Sequence, residues 1–161
     1  RGADKYSTPP HSLQSPPMFA STYTARHAAR HLAGQLYSQV GVETQVSGAS
    51  PHQLVAMLFD GYLECVAKAR GAIRARNREA KALALGRAVR IVDEGLRAGL
   101  DLRAGGTLAR DLDDLYNYLT IRLTLANVRD DESLLDECQR LVTPLREAWM
   151  AIAPQVGAGP R

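Results

Sequence analysis

SPHQLVAMLFDGYLECVAKA, residues 50–69, decides the fold. Ser50 followed by Pro51 is a helix-start signal. A serine oxygen at the N-cap can accept one of the orphan backbone N–H groups, and a proline at the first helical position has no N–H to leave unpaired. Behind it Leu54, Leu58, Tyr62, Cys65, Val66 and Ala69 recur at helical spacing until Asn77 punctuates the run. Working outward, a second helix is predicted over about residues 79–102. It carries Leu85, Val89, Val92, Leu96 and Leu100 on one side, with the small row Ala84, Ala88, Ile91, Gly95 and Gly99 read as lying opposite. Gly105-Gly106 ends it. A third helix over 107–129 has Asp111, Asp113 and Asp114 in or near its first turns, where acids suit the helix dipole. It shows two apolar rows: Leu108, Leu112, Leu115, Leu119 and Ala126 form one, and Tyr118, Ile121 and Leu125 the other. Asp130-Asp131-Glu132 opens a fourth helix with Leu134, Cys138, Leu141, Leu145, Ala148 and Ile152 at strict 4-3 spacing, and Pro144 inside it predicts a kink or a weakened turn. Four helices of about 20 residues joined by short connections predict an all-α fold, an antiparallel up-down four-helix bundle over residues 50–154.

The flanks read differently. Residues 1–17 hold four of the eight prolines and almost nothing apolar, so they read as a disordered leader or tag-like extension, with Met18 a candidate start. Residues 18–49 read as a partly ordered, extended or partly helical segment packing on the bundle, and 155–161 as a disordered tail. Across all 161 residues, 45% are hydrophobic and 23% charged, which excludes a fully disordered chain. The net charge of +3 comes from 20 basic and 17 acidic residues read as interspersed, which argues against a nucleic-acid partner. Cys65 and Cys138 stand far apart with no CxxC spacing, so they read as reduced, buried thiols of a cytosolic protein. No run approaches the roughly 18 apolar residues of a membrane span, so no membrane insertion is expected.

The sequence carries no recognisable catalytic or metal-binding motif. None of the seven glutamates is followed by a histidine three residues on, as a di-iron bundle requires. His27 and His31 share an i,i+4 spacing but lack a third ligand, and His52 lies in a first helical turn, where it reads as a capping-region side chain. No nucleophile elbow, P-loop or GxGxxG is present. The expectation is a binding protein, not an enzyme, with no cofactor and no metal.

The opening Ser50-Pro51-His52-Gln53-Leu54-Val55-Ala56-Met57-Leu58-Phe59-Asp60-Gly61 resembles that of the flagellar export chaperones that bind flagellin, the FliS family. The likeness continues through Gly105-Gly106 after Leu100-Asp101. It runs on through Leu115-Tyr116-Asn117-Tyr118, Arg122-Leu123 and Ala126-Asn127, similar to the family's Leu-Tyr-x-Tyr-x-x-x-Arg-Leu-x-x-Ala-Asn, and then to Trp149 in the last helix. Upstream, Tyr37-Ser38-Gln39-Val40 is similar to the segment before the family's bundle. Arg129 stands where the family often has Asn, and Gly34 where it often has an apolar residue.

The resemblance implies a cytoplasmic type III export chaperone. It would hold the C-terminal, disordered segment of flagellin in apolar grooves, prevent premature polymerisation and deliver the client to the flagellar export gate protein. Other flagellar regulators are further expected partners. A bundle helix needs one apolar stripe for its own core, so the second row of the third helix is available to a client. On that basis the expected flagellin-binding residues are Tyr37, Val40, Val42, Leu54, Leu58, Tyr116, Tyr118, Ile121, Arg122, Leu125 and Asn127, and Tyr37 is also the expected export-gate contact. Tyr116 and Tyr118 lie about 200° apart on a helix, so only one of them can face the core. Arg122 is expected to cap a helix or to pair with Asp114 or Asp60. The alternative reading is a helical adaptor or regulatory protein that binds another secretion or anti-sigma partner.

Overall fold

The computed structural model describes residues 48–152. The expectations for residues 1–17 and 18–47, Tyr37, Val40 and Val42 included, lie outside the described residues, as does the tail from 153. Four helices follow in order. They are α1 (Pro51–Arg74), α2 (Arg78–Arg90, running directly into a π-helical segment Ile91–Arg97), α3 (Gly106–Arg129) and α4 (Glu132–Ala151). Among the described residues there is no strand. Each helix packs on its neighbours in sequence, and α1 closes the ring against α4, giving the expected four-helix bundle.

Local chemistry sets the helix ends. The Gln53 N–H donates to Ser50 Oγ at 3.2 Å, and the Ser50 N–H donates to Gln53 Oε1 at 2.8 Å. This reciprocal capping box satisfies two orphan donors at once. At the other end of α1 the Asn77 N–H reaches the Ala72 carbonyl and the Arg76 N–H the Ile73 carbonyl, a Schellman closure that puts Arg76 at φ 53°. Asn77 then caps α2 through Oδ1, which accepts from the Ala80 N–H at 3.0 Å. Asp131 does the same for α4 through the Ser133 N–H.

Between α2 and α3 the chain turns on Asp101, whose Oδ1 accepts from the Arg103 and Ala104 N–H groups while its carbonyl accepts from Gly105 at 2.8 Å. The twin glycines serve different ends. Gly106 has φ 56°, where a Cβ is strained. Gly105 has an ordinary φ of −79°, but a Cβ there would sit 2.4 Å from Ala109 Cβ.

The core joins Leu58, Phe59, Tyr62, Val66 and Ala69 of α1 to Leu85, Ala88, Ile91, Val92 and Leu96 of the second helix. Opposite these stand Tyr116, Leu119, Leu123 and Ala126 of α3 and Leu134, Leu135, Cys138 and Val142 of α4. Two expected rows need correction. On the second helix the small row is not opposite the large one: Ala88, Ile91 and Gly95 are buried beside Leu85, Val92 and Leu96, because positions one residue apart are only 100° apart on the helix. On α3 Leu119 and Ala126 of the expected row are buried and Leu112 and Leu115 pack half-buried on the core, but Ala109, Tyr116 and Leu123 are buried with them and Leu108 stands 68% exposed, so the buried face is turned toward those residues. Pro144 does not interrupt α4, which runs unbroken from Glu132 to Ala151. The carbonyl it cannot serve belongs to the exposed Arg140, where water can replace the missing donor.

Candidate functional site

Polar cross-links join both flanks of α3 to its neighbours. Arg97, on the π-helical segment, meets Asp113 through Nε at 2.6 Å and a second nitrogen at 3.2 Å, and holds the Asp113 carboxyl below the usual carboxylate range. About two turns further on, Thr120 Oγ1 donates to Asp93 at 3.1 Å. On the other flank Arg122 Nε donates to Glu137 of α4 at 2.7 Å, and the Tyr118 hydroxyl donates to the other oxygen of the same carboxylate. The Arg122 guanidinium also lies over the Tyr118 ring, 5.5 Å from its centroid. The Tyr118 hydroxyl first, then Arg122, lowers the Glu137 carboxyl. Arg122 therefore pairs with Glu137 and not with Asp114 or Asp60, and Asp60 takes Arg146 of α4 instead.

With α3 held in this setting, its second apolar row faces outward. Tyr118, Ile121, Leu125 and Val128 follow one another at 3-4-3 spacing, with Ile121 50% and Val128 76% exposed and Leu125 half-buried. Val128 completes this row and was missed in sequence; its spacing from Leu125 was the available signal.

The other expected contact residues fall elsewhere. Leu58 and Tyr116 are core, and burial pushes the Tyr116 hydroxyl up to about 12. Leu54 lies in a small buried cluster with Ala49, against Met57. Asn127 gives its carbonyl to Lys81 Nζ at 2.7 Å. Lys81 is itself only 7% exposed and also bridges Asp130, so α2 caps the C-terminus of α3 with a buried cation. No signal in the α2 sequence distinguished Lys81 from its exposed neighbours.

His52 and Trp149 form a further link that the sequence did not announce. Their rings stack with centroids 4.9 Å apart and planes 7° off parallel. The His52 Nε2–H donates to the Trp149 carbonyl at 2.7 Å, and the Trp149 indole N–H donates to the His52 carbonyl at 3.0 Å. The first turn of α1 is thereby tied to the last turn of α4. The thiols of Cys65 and Cys138 are buried in the core, and burial raises both, Cys138 to about 11. Among the described residues no group of three His, Cys, Asp or Glu is placed to hold a metal ion, and no helix is long and apolar enough to cross a membrane.

The fold and this surface define a class: an all-helical bundle whose outward feature is an apolar stripe bordered by an ion pair. The family model described as "Flagellar protein FliS" matches residues 33–156, and the chain belongs to that family. It is 44% identical over 119 residues to the flagellar secretion chaperone FliS of Salmonella typhimurium, covering 74% of this chain and 88% of that protein. It is likewise 44% identical over 117 residues to the flagellar secretion chaperone FliSB of Pseudomonas aeruginosa, covering 73% and 92%. The flagellar secretion chaperone FliS of Bacillus subtilis is 31% identical over 107 residues, covering 66% and 78%.

Proposed function

We propose that this protein is a cytoplasmic flagellar secretion chaperone. It binds the C-terminal segment of flagellin, keeps it from polymerising early and hands it to the flagellar export gate. Membership of the FliS family supports the reading, and the observation that carries it is the outward stripe of α3, Tyr118, Ile121, Leu125 and Val128. A client segment that folds as a helix would lay its apolar side along that stripe, which the Arg122–Glu137 pair borders. Binding needs no bound nucleotide, since release follows from competition at the gate. Tyr37, Val40 and Val42 belong to the same proposed client-binding set, and Tyr37 is also the proposed export-gate contact.

Calorimetric titration with the last ~40–60 residues of the same organism's flagellin tests this, since coupled folding buries enough apolar surface to give a large negative heat-capacity change. One-to-one saturable binding with that signature is expected. A folded, helical protein that ignores the segment would end the proposal.

A further inference from the structure

The expected interspersion of charge fails in one place. Residues 65–92, the second half of α1 and most of the second helix, carry eight Arg or Lys against one Glu, whereas residues 93–152 carry twelve acids against seven bases. Three of the eight cations are turned inward to the other half of the bundle: Arg70 to Asp136, Arg74 to Glu132 and Lys81 to Asp130. Lys68 also pairs with Glu64 and Arg90 with Glu94 along their own helices, and Arg76 and Arg78 stand exposed at the turn, so the outer face of this hairpin keeps an excess of positive charge.

That face also holds a cleft. Between α1 and α2 runs an open groove of about 450 Å³, floored by small side chains such as Ala75, Ala80 and Ala84 and by Gly71. Leu83 stands on it 69% exposed. Lys68 and Arg87 are the charged residues lining it, and no acid does. At its end it meets a second, more polar cleft of about 350 Å³ that contains Arg76, Arg78 and the Lys81–Asp130 pair; Ala72 and Asn77 border both.

We propose that this cleft is a second docking surface, for an acidic amphipathic helix of another protein. The small floor lets a helix approach closely, since interaxial distance is set by the side chains at the contact. Leu83 supplies an apolar contact that water otherwise meets. Lys68, Arg87 and the arginines at the turn complement Asp or Glu along the flanks of the incoming helix and repel a basic one. The lining runs from Cys65 to Ala75, ten residue steps or about 15 Å at the helical rise, so it takes about three turns of a partner. The surface is separate from the α3 stripe.

A pair of synthetic peptides tests it, each long enough for about four helical turns, with leucines at i, i+3 and i+7 and either glutamates or lysines on the flanks. They are titrated into isotope-labelled protein, with a short DNA duplex as a third probe. The glutamate peptide is expected to bind and to shift the amides of Gly71, Ala75, Ala80 and Ala84. The lysine peptide should bind at least tenfold more weakly, and added salt should weaken the glutamate complex. Leu83→Ser and the pair Leu83→Ser with Lys68→Glu, both at exposed positions, should lower its affinity by tenfold or more with unchanged helicity. The flagellin segment should bind these variants as it binds the unmodified protein, so the two surfaces stand or fall separately. Equal binding of both peptides, binding of neither, amide shifts confined to other helices, or tighter capture of the DNA by the same cleft would each overturn the proposal.

Discussion

Gly105→Ala is a demanding test of how the α2–α3 turn is built. Backbone conformation gives no reason for glycine there: at φ −79° alanine is comfortable, and replacing a glycine at such a position ordinarily stabilises by roughly 0.4–1 kcal/mol through the unfolded chain. Space gives the opposite answer. The new Cβ would lie 2.4 Å from Ala109 Cβ and 2.8 Å from the Asp101 carbonyl oxygen, which already accepts the Gly105 N–H. Neither neighbour is the end of a flexible side chain, so the first turn of α3 must shift. Overpacking of this kind costs about 1–3 kcal/mol, which outweighs the entropic gain. Gly106→Ala meets no atom but carries the left-handed strain of φ 56°, about 1–2 kcal/mol less the same entropic return. Urea unfolding followed by helical ellipticity should rank unmodified protein above Gly106→Ala and Gly106→Ala above Gly105→Ala, with unchanged slopes. Adding Ala109→Gly to Gly105→Ala removes the closer contact, so the pair should be less destabilised than the sum of the two single changes. A Gly105→Ala protein as stable as its parent would refute the packing argument.

Lys81→Met keeps the apolar stem but leaves the Asn127 carbonyl without its donor, a loss of roughly 1–3 kcal/mol that lowers the urea midpoint; an unchanged midpoint would show that water serves the carbonyl equally well. Acid should destabilise the bundle. Asp113 beside Arg97, Asp130 beside Lys81 and Glu137 beside Tyr118 and Arg122 are held below the usual carboxylate range, so the unfolded chain binds protons first. Stability from these groups is intact above about pH 4, near their unfolded values, and falls as pH drops through the folded ones. Urea midpoints between pH 7 and pH 3 check this, and a midpoint that rises on acidification would contradict it. Cys65 and Cys138, buried and with raised thiol pKa values, should resist a thiol reagent at neutral pH until urea unfolds the chain; stoichiometric labelling of the native protein would contradict their placement.

Much of the architecture was legible because its signals are local. Ser50-Pro51, Asn77, Gly105-Gly106 and Asp131 each act within four residues of themselves, so they mark helix ends before any packing is known. The rotation of α3 was not legible in this way. Leu108, Leu112, Leu115 and Leu119 form as good a row as Ala109, Tyr116, Leu119 and Leu123. The observed setting buries Tyr116 and Leu123 and brings Asp113 to Arg97 and Arg122 to Glu137 on the neighbouring elements. Those partners depend on how the helices slide past one another, which periodicity along one helix does not encode. The same holds for Asp60 with Arg146 and for the His52–Trp149 stack. The π-helical segment was also invisible: its residues would suit an α-helix equally well, and nothing in their order announces the wide turn in which the Ala98 N–H reaches the Asp93 carbonyl. At the candidate site the second row was legible as a row, but which of Tyr116 and Tyr118 belonged to it was settled only by packing.

Tyr118→Asp would be an ambiguous disruption, because the Tyr118 hydroxyl bonds Glu137 and an aspartate there would also repel that carboxylate. Ile121 sits on the same stripe, half exposed. The most direct measurement is therefore the titration of the flagellin C-terminal segment into unmodified protein and into Ile121→Asp. The chaperone reading predicts one-to-one binding with a large negative heat-capacity change to the first, and at least a tenfold loss of affinity in the second at equal helicity and equal urea midpoint. Equal affinity for the two proteins would take the client off α3, and no binding to either would contradict the reading as a whole.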